Sequence, residues 1–132
     1  MGVTFIFIPC NTVHYYYDEL QKISDCKIIN IIEITSKYFI KKNISHFNIL
    51  GTEALIKEKL YNKFDLKDVI YINNLSISRK IIDFIKHNNI DNFNEEIFND
   101  FKNLLVKDRI NILACTEFSV LYEKTKYRLK DY

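Results

Sequence analysis

The chain has 132 residues, 48% of them hydrophobic, and a formal net charge of +2, so it is long enough to bury the core of one domain. It contains only 2 glycines and 1 proline, which excludes glycine-rich phosphate loops and disfavours an all-β barrel with many tight turns. The 16 lysines are interspersed with acidic residues, so no basic patch indicates a nucleic-acid partner, and no apolar run approaches the ~18 residues of a membrane span.

The apolar run near the N-terminus does not predict a signal peptide, because it is short and no basic segment precedes it. We therefore expect a cytoplasmic protein, in which the 3 cysteines are free thiols rather than a disulfide framework. The high counts of Ile (22), Asn (14) and Lys (16) indicate the coding bias of an AT-rich genome and carry no functional prediction.

Short apolar runs rich in β-branched and aromatic residues predict the strands, of which the first is expected to be buried. These runs are residues 3–8, 28–32, 47–50, 69–72 and 110–114. Helical periodicity fills the intervening segments at 13–23, 33–40, 53–64, 78–87 and 93–107, and a helical or irregular tail follows. Strands that alternate with helices predict an α/β fold with a mainly parallel sheet and helices on both faces.

Two of the predicted strands end in a cysteine that is followed by threonine-containing polar residues. Cys10 follows the first strand and Cys115 follows the last one. Ligands of parallel α/β sheets bind at the carboxyl ends of the strands, and the first N–H groups of a following helix favour a thiolate. We therefore expect both cysteines to lie at a site and to have a lowered pKa.

Two thiols on opposite sides of one carbon can invert its configuration without a cofactor. One thiolate removes the α-proton and the other thiol returns a proton to the opposite face. The carbanion needs nearby hydrogen-bond donors, and Asn11, Thr12 and Thr116 are neutral side chains beside the two thiols.

Other uses of these residues stay open or are disfavoured. Each cysteine alone is more typical of a small buried apolar residue, and Cys26 has no matching context. Cys10 and His14 are four residues apart and could share a helix face, but no second close pair predicts a metal site. The same objection applies to a Cys10–His14 nucleophile pair, so His14 is expected to cap or pack against the helix start.

Four segments, in order, resemble the aspartate/glutamate racemase family of cofactor-independent amino-acid racemases. Pro9-Cys10-Asn11-Thr12-Val13-His14 is similar to the family's Pro-Cys-Asn-Thr-Ala-His, and Ala114-Cys115-Thr116-Glu117 to its Gly-Cys-Thr-Glu. Leu50-Gly51-Thr52 matches a Leu-Gly-Thr that closes a strand, and residues 31–35 resemble the stretch after the first helix. Within this resemblance, Glu117 after the second Cys-Thr and His14 after the first motif favour this branch over the related glutamate racemases of cell-wall synthesis.

The resemblance implies two similar α/β lobes, commonly in a homodimer, that racemise an acidic amino acid (aspartate or glutamate) without pyridoxal phosphate or a metal. Cys10 and Cys115 would be the acid and base. The substrate would be lined by four neutral side chains, Asn11, Thr12, Thr52 and Thr116. Glu117 would anchor its neighbours rather than react.

The chain also departs from the family pattern. The resemblance begins at the strand before Cys10, so we expect a chain truncated at its N-terminus: a lobe remnant at 3–8, a central lobe at about 28–113 and a return segment at 114–132. The strand at 3–8 would then lack neighbours and expose apolar surface, or be covered by another chain.

A second departure concerns the substrate's carboxylate. The family tends to have Lys-Gly where this chain has His87-Asn88, so His87, or Lys86 beside it, would have to bind the carboxylate. Leu55 is a third departure, since the family often has Thr there.

Two alternatives to an acidic amino-acid racemase remain. The first is a catalytically inactive racemase remnant that acts as an interaction or dimer module. The second is a hydantoin racemase or maleate isomerase-like enzyme of the same superfamily.

Overall fold

A computed structural model of the chain describes residues 2–88 and 93–130. The strands are β1 (Phe5–Phe7), β2 (Lys27–Ile29), β3 (Phe47–Leu50), β4 (Val69–Tyr71) and β5 (Ile110–Leu113). The helices are α1 (Tyr17–Ile23), α2 (Ile31–Lys41), α3 (Glu53–Lys57), α4 (Leu75–His87), α5 (Glu95–Leu104) and α6 (Thr116–Thr125). None of the helices in the described ranges is long and apolar enough to cross a membrane.

The first two strands form a small parallel sheet of their own. Phe5 pairs with Lys27 and Phe7 with Ile29, so the expectation that the first strand lacks a neighbour is wrong. The prediction of a buried strand is also wrong, because alternate side chains point to opposite faces and Phe5 and Phe7 are 59% and 63% exposed. The expected apolar surface at this strand is therefore present.

The other three strands form a parallel sheet in the order β4-β3-β5. Phe47 of β3 pairs with Val69 of β4 on one side and with Ile110 of β5 on the other. All four residues of β3 are buried, as expected for a central strand between two neighbours.

Helices cover both faces of this sheet. The ring of Phe39 in α2 lies 4.9 Å from the ring of Phe47, whereas Asn48, on the opposite face, donates to the carbonyl oxygen of Leu104 in α5 at 2.9 Å. Parallel sheets with helices on both faces confirm the predicted α/β class.

Several helix bounds differ from the predicted ones. The segment at 53–64 is not one helix, because Lys59 adopts a left-handed conformation with φ of 47° that separates α3 from a 3-10 helix, Leu60–Phe64. The segment after residue 12 also begins as a 3-10 helix, Thr12–Tyr16, before α1. The tail is helical, as α6.

Candidate active site

A cleft of about 460 Å³ lies at the carboxyl ends of β1 and β5, beside the start of α3. Every site residue predicted from the sequence lines it except His87. These residues are Cys10, Asn11, Thr12, Thr52, Cys115, Thr116 and Glu117. They come from segments far apart in the sequence and meet because parallel strands end on the same edge of their sheets.

The loop that carries Cys10 is held by a buried histidine. Cys10 is exposed, while the ring of His14 is buried one turn later. The Nδ1 of His14 donates to the carbonyl oxygen of Cys10 at 2.8 Å, and its Nε2 accepts from the N–H of Ile31 at 3.3 Å. The Nε2 also lies 3.2 Å from the carbonyl oxygen of Ile29. The ring thus joins the Cys10 loop to the start of α2, whose Ile31 lines the same cleft.

Two threonines join the Cys10 loop to the end of β3. The hydroxyl oxygens of Thr12 and Thr52 lie 2.7 Å apart, within hydrogen-bond distance. Thr52 is also the N-cap of α3, where its hydroxyl accepts from the N–H of Leu55 at 3.4 Å. The hydroxyl pair therefore sits at a fixed place in the cleft wall.

Gly51 comes directly before Thr52, at a position where there is little room for a side chain. A Cβ at Gly51 would lie 3.1 Å from Cδ2 of Leu55 and 3.6 Å from Cβ of Ala114, the residue before Cys115. The carbonyl oxygen of Gly51 accepts from the buried hydroxyl of Ser78 in α4 at 2.8 Å. The missing Cβ therefore leaves room for the side chain of Leu55 in α3, while Ala114 lies at ordinary contact distance.

Cys115 occupies the N-cap position of α6, and its thiol faces a carboxylate. The Sγ donates to Oε2 of Glu117 at 2.7 Å, and the hydroxyl of Thr116 donates to the same oxygen at 3.0 Å. Burial, together with the hydrogen bond and the negative charge of Glu117, raises the pKa of Cys115 to about 12. The lowered pKa expected from the helix start is therefore wrong for Cys115, because desolvation and the adjacent carboxylate outweigh the helix N-terminus.

Glu117 is charged although it is partly buried. Burial alone would raise its pKa, but hydrogen bonds from Cys115, its own N–H and Thr116, together with the nearby Lys86, hold the pKa below its usual value. The Nζ of Lys86 lies 3.8 Å from the Oε1 of Glu117 and lines the cleft.

His87 lies outside the cleft. His87 is exposed and its Nδ1 donates to the carbonyl oxygen of Asp83, one turn back in α4. Successive residues of a helix point about 100° apart, so α4 can direct only one of the adjacent pair, Lys86 and His87, into the cleft. In the structure Lys86 lines the cleft and His87 does not.

The sequence did not predict several apolar residues that line the cleft, nor the hydrogen bond between Tyr61 and Asn11. Phe7, Ile31 and Leu113 line the cleft, and the hydroxyl of the buried Tyr61 donates to Oδ1 of Asn11 at 2.9 Å. The strand-end positions of Phe7 and Leu113 were a usable signal. Tyr61 gave none, because it is 50 residues from Asn11.

The chain is similar in sequence to known racemases. Residues 1–130 match the family model described as Asp/Glu/Hydantoin racemase. The Broad specificity amino-acid racemase RacX of Bacillus subtilis (strain 168) is 40% identical over 65 residues, which is 47% of this chain and 27% of that relative. The chain thus matches less than a third of the relative's length. Racemases are isomerases, and the family match over nearly the whole chain confirms the resemblance seen in its motifs. The chain belongs to the Asp/Glu/Hydantoin racemase family.

Proposed function

We propose that the chain carries the catalytic cleft of a cofactor-independent amino-acid racemase in which Cys10 and Cys115 exchange the α-proton of the substrate. The observation that carries this proposal is that both thiols line one cleft together with neutral hydrogen-bond donors. A cysteine that was only a small apolar residue would be buried, whereas Cys10 is exposed and Cys115 is partly exposed.

The two thiols have different roles at the start of the reaction. Cys115 is the resting acid, because its thiol is hydrogen-bonded to Glu117. Cys10, as the thiolate, takes the α-proton, and the electron pair of the broken C–H bond moves into the substrate's α-carboxylate. The S–H of Cys115 then gives its proton to the opposite face, which leaves Cys10 as thiol and Cys115 as thiolate. Proton exchange with water restores the starting state.

The remaining residues would bind the substrate and stabilise the carbanion. The hydroxyl pair of Thr12 and Thr52, the amide of Asn11 and the hydroxyl of Thr116 supply donors for the α-carboxylate as its charge increases. Lys86 is a cation in the cleft wall and would bind the second carboxylate of aspartate or glutamate in place of its contact with Glu117. We therefore propose an acidic amino acid, aspartate or glutamate, as the substrate.

We also propose that the cytoplasmic protein works as a homodimer. The exposed apolar face of β1, with Val3, Phe5 and Phe7, adjoins the cleft through Phe7 and would be covered by a second copy. The same face is the observation that favours the alternative, a non-catalytic interaction module. Sedimentation of the whole chain tests the dimer, and a monomer at micromolar concentration would contradict it.

The activity is tested with both enantiomers of aspartate and glutamate, of the neutral amino acid alanine, and with a hydantoin and maleate. We expect racemisation of an amino acid, highest for aspartate or glutamate. Cys10→Ala and Cys115→Ala should each abolish it, whereas the matched control Cys26→Ala should retain it, because Cys26 lies outside the cleft. No turnover of any substrate by the wild-type chain would support the inactive module, and turnover of only the hydantoin or maleate would support the other alternative.

A further inference from the structure

We infer that Tyr61 is a positioning residue for Asn11: its hydroxyl fixes the side-chain amide so that the amide NH₂ group faces the cleft. This inference rests on the proposed function, because it assigns the NH₂ of Asn11 as a donor to the substrate or to its carbanion.

The hydrogen bond between the two side chains sets the orientation of the amide. The hydroxyl of Tyr61 donates to Oδ1 of Asn11 at 2.9 Å, and Asn11 lines the cleft whereas Tyr61 does not. An asparagine amide has one oxygen that accepts and one NH₂ that donates. With its oxygen bonded to Tyr61, Asn11 offers donors to a ligand in the cleft, and donors are what a developing enolate requires.

The hydroxyl of Tyr61 acts as a donor. Its side chain is buried, with 1% of the residue exposed, and burial together with the neighbouring Tyr71 raises the pKa of Tyr61. The phenol therefore stays protonated at neutral pH. Since a buried hydroxyl is costly without a partner, the bond to Asn11 is also the contact that makes a tyrosine acceptable here.

The backbone around Tyr61 is held in place independently of Asn11. The N–H of Tyr61 donates to the hydroxyl of Tyr71 at 3.1 Å, and that hydroxyl donates to Oδ1 of Asn62 at 2.9 Å. The 3-10 helix that carries Tyr61 lies between two left-handed non-glycine residues, Lys59 and Asp65, with φ of 47° and 49°. A left-handed backbone conformation raises the free energy of a non-glycine residue by about 1 kcal/mol. The contacts around this segment must therefore stabilise it in that conformation.

A tyrosine that only filled the core could be replaced by phenylalanine without effect on Asn11. The hydroxyl is the atom that distinguishes a packing role from a positioning role. The decisive variant is therefore Tyr61→Phe, which keeps the ring and removes the bond to Asn11. The matched control is Tyr17→Phe, which removes a hydroxyl bonded to the carbonyl oxygen of Ile28 at 3.2 Å.

The kinetic experiment measures racemisation by the whole chain with the best substrate of the panel. We expect Tyr61→Phe to lower kcat/KM about tenfold, as for the loss of one hydrogen bond, and Tyr17→Phe to leave it unchanged. In an Asn11→Ala background, Tyr61→Phe should have no further effect, because the group it positions is gone. An equal loss in both backgrounds, or no loss in the wild-type background, would overturn the inference.

A second measurement does not depend on activity. The side-chain NH₂ resonances of Asn11, assigned by NMR, should shift and exchange faster with water in Tyr61→Phe, but not in Tyr17→Phe. Unchanged Asn11 resonances would overturn the inference even if the chain has no racemase activity. Failure of the proposed function would instead be seen as a wild-type chain that racemises nothing, with the Tyr61-dependent change in the Asn11 signals intact.

Discussion

The pKa of Cys115 is raised rather than lowered, because the thiol is buried and Glu117 lies two residues further along the chain. The position of the thiol at a strand end and helix start was predictable from the apolar run and the polar residues after it. The sign of its pKa shift was not, because it depends on how far the folded chain buries the thiol and on the rotamer that turns the carboxylate of Glu117 toward the sulfur at 2.7 Å. A pattern of residue types does not specify that rotamer.

The raised pKa of Cys115 predicts a low reactivity of its thiol. A pKa near 12 leaves Cys115 almost entirely protonated at pH 8, so iodoacetamide should modify it slowly. Glu117→Gln removes the negative charge, lowers the pKa of Cys115 and should speed its modification at least tenfold. Cys26, whose thiol contacts the carbonyl oxygen of Val3, is the internal control. Peptide mass spectrometry gives each rate, and an unchanged rate for Cys115 would contradict this account of its pKa.

Among the secondary-structure elements, three helices begin at an asparagine that caps their first turn. Asn30, Asn74 and Asn94 each accept hydrogen bonds from the first turn of a helix, at α2, α4 and α5. The asparagine count, which indicates coding bias, does not by itself predict these caps. By contrast, the break between α3 and the next 3-10 helix was not predictable, since Lys59 is neither glycine nor asparagine and tertiary contacts must stabilise its left-handed backbone.

The glycine at the end of β3, Gly51, can be tested by substitution. Gly51→Ala places a Cβ 3.1 Å from Cδ2 of Leu55, so the buried side chain of Leu55 in α3 must shift, whereas Ala114, at 3.6 Å, would stay in ordinary van der Waals contact. We expect a loss of about 1 kcal/mol in the free energy of unfolding, together with reduced activity. The matched control is Gly2→Ala, where the new Cβ has no neighbour within 4 Å. Urea denaturation compares the two variants, and equal midpoints would show that β3 tolerates the added methyl.

For the whole molecule, the sequence predicted the class of fold and the convergence of the motifs, but not the separation into two sheets. The pairing of β1 with β2 depends on a register between short strands that both read as apolar runs. A three-residue cluster at the opposite edge of the larger sheet was also not predicted. His46, Asp68 and Arg109 immediately precede β3, β4 and β5, and Asp68 contacts the other two side chains.

This cluster predicts a pH-dependent stability. Hydrogen bonds from His46 and Arg109 hold the pKa of Asp68 below its usual value. Its contribution is therefore complete above the unfolded pKa of about 4 and is lost as the pH falls through the lower folded value. Thermal unfolding should show the wild-type chain to be more stable than Asp68→Asn at pH 6, with the difference decreasing at pH 3 and below. A difference that stays constant over this range would exclude the charge of Asp68 as its source.

Deuterium incorporation from solvent shows whether two thiols act on opposite faces of one α-carbon. The wild-type chain would be given one pure enantiomer of its substrate in D₂O and stopped at low conversion. We expect one α-deuterium in the product enantiomer and almost none in the remaining substrate, because the base that removes the proton is not the acid that returns it. Equal deuterium in both enantiomers, or product formed at the wild-type rate by Cys10→Ala, would contradict it.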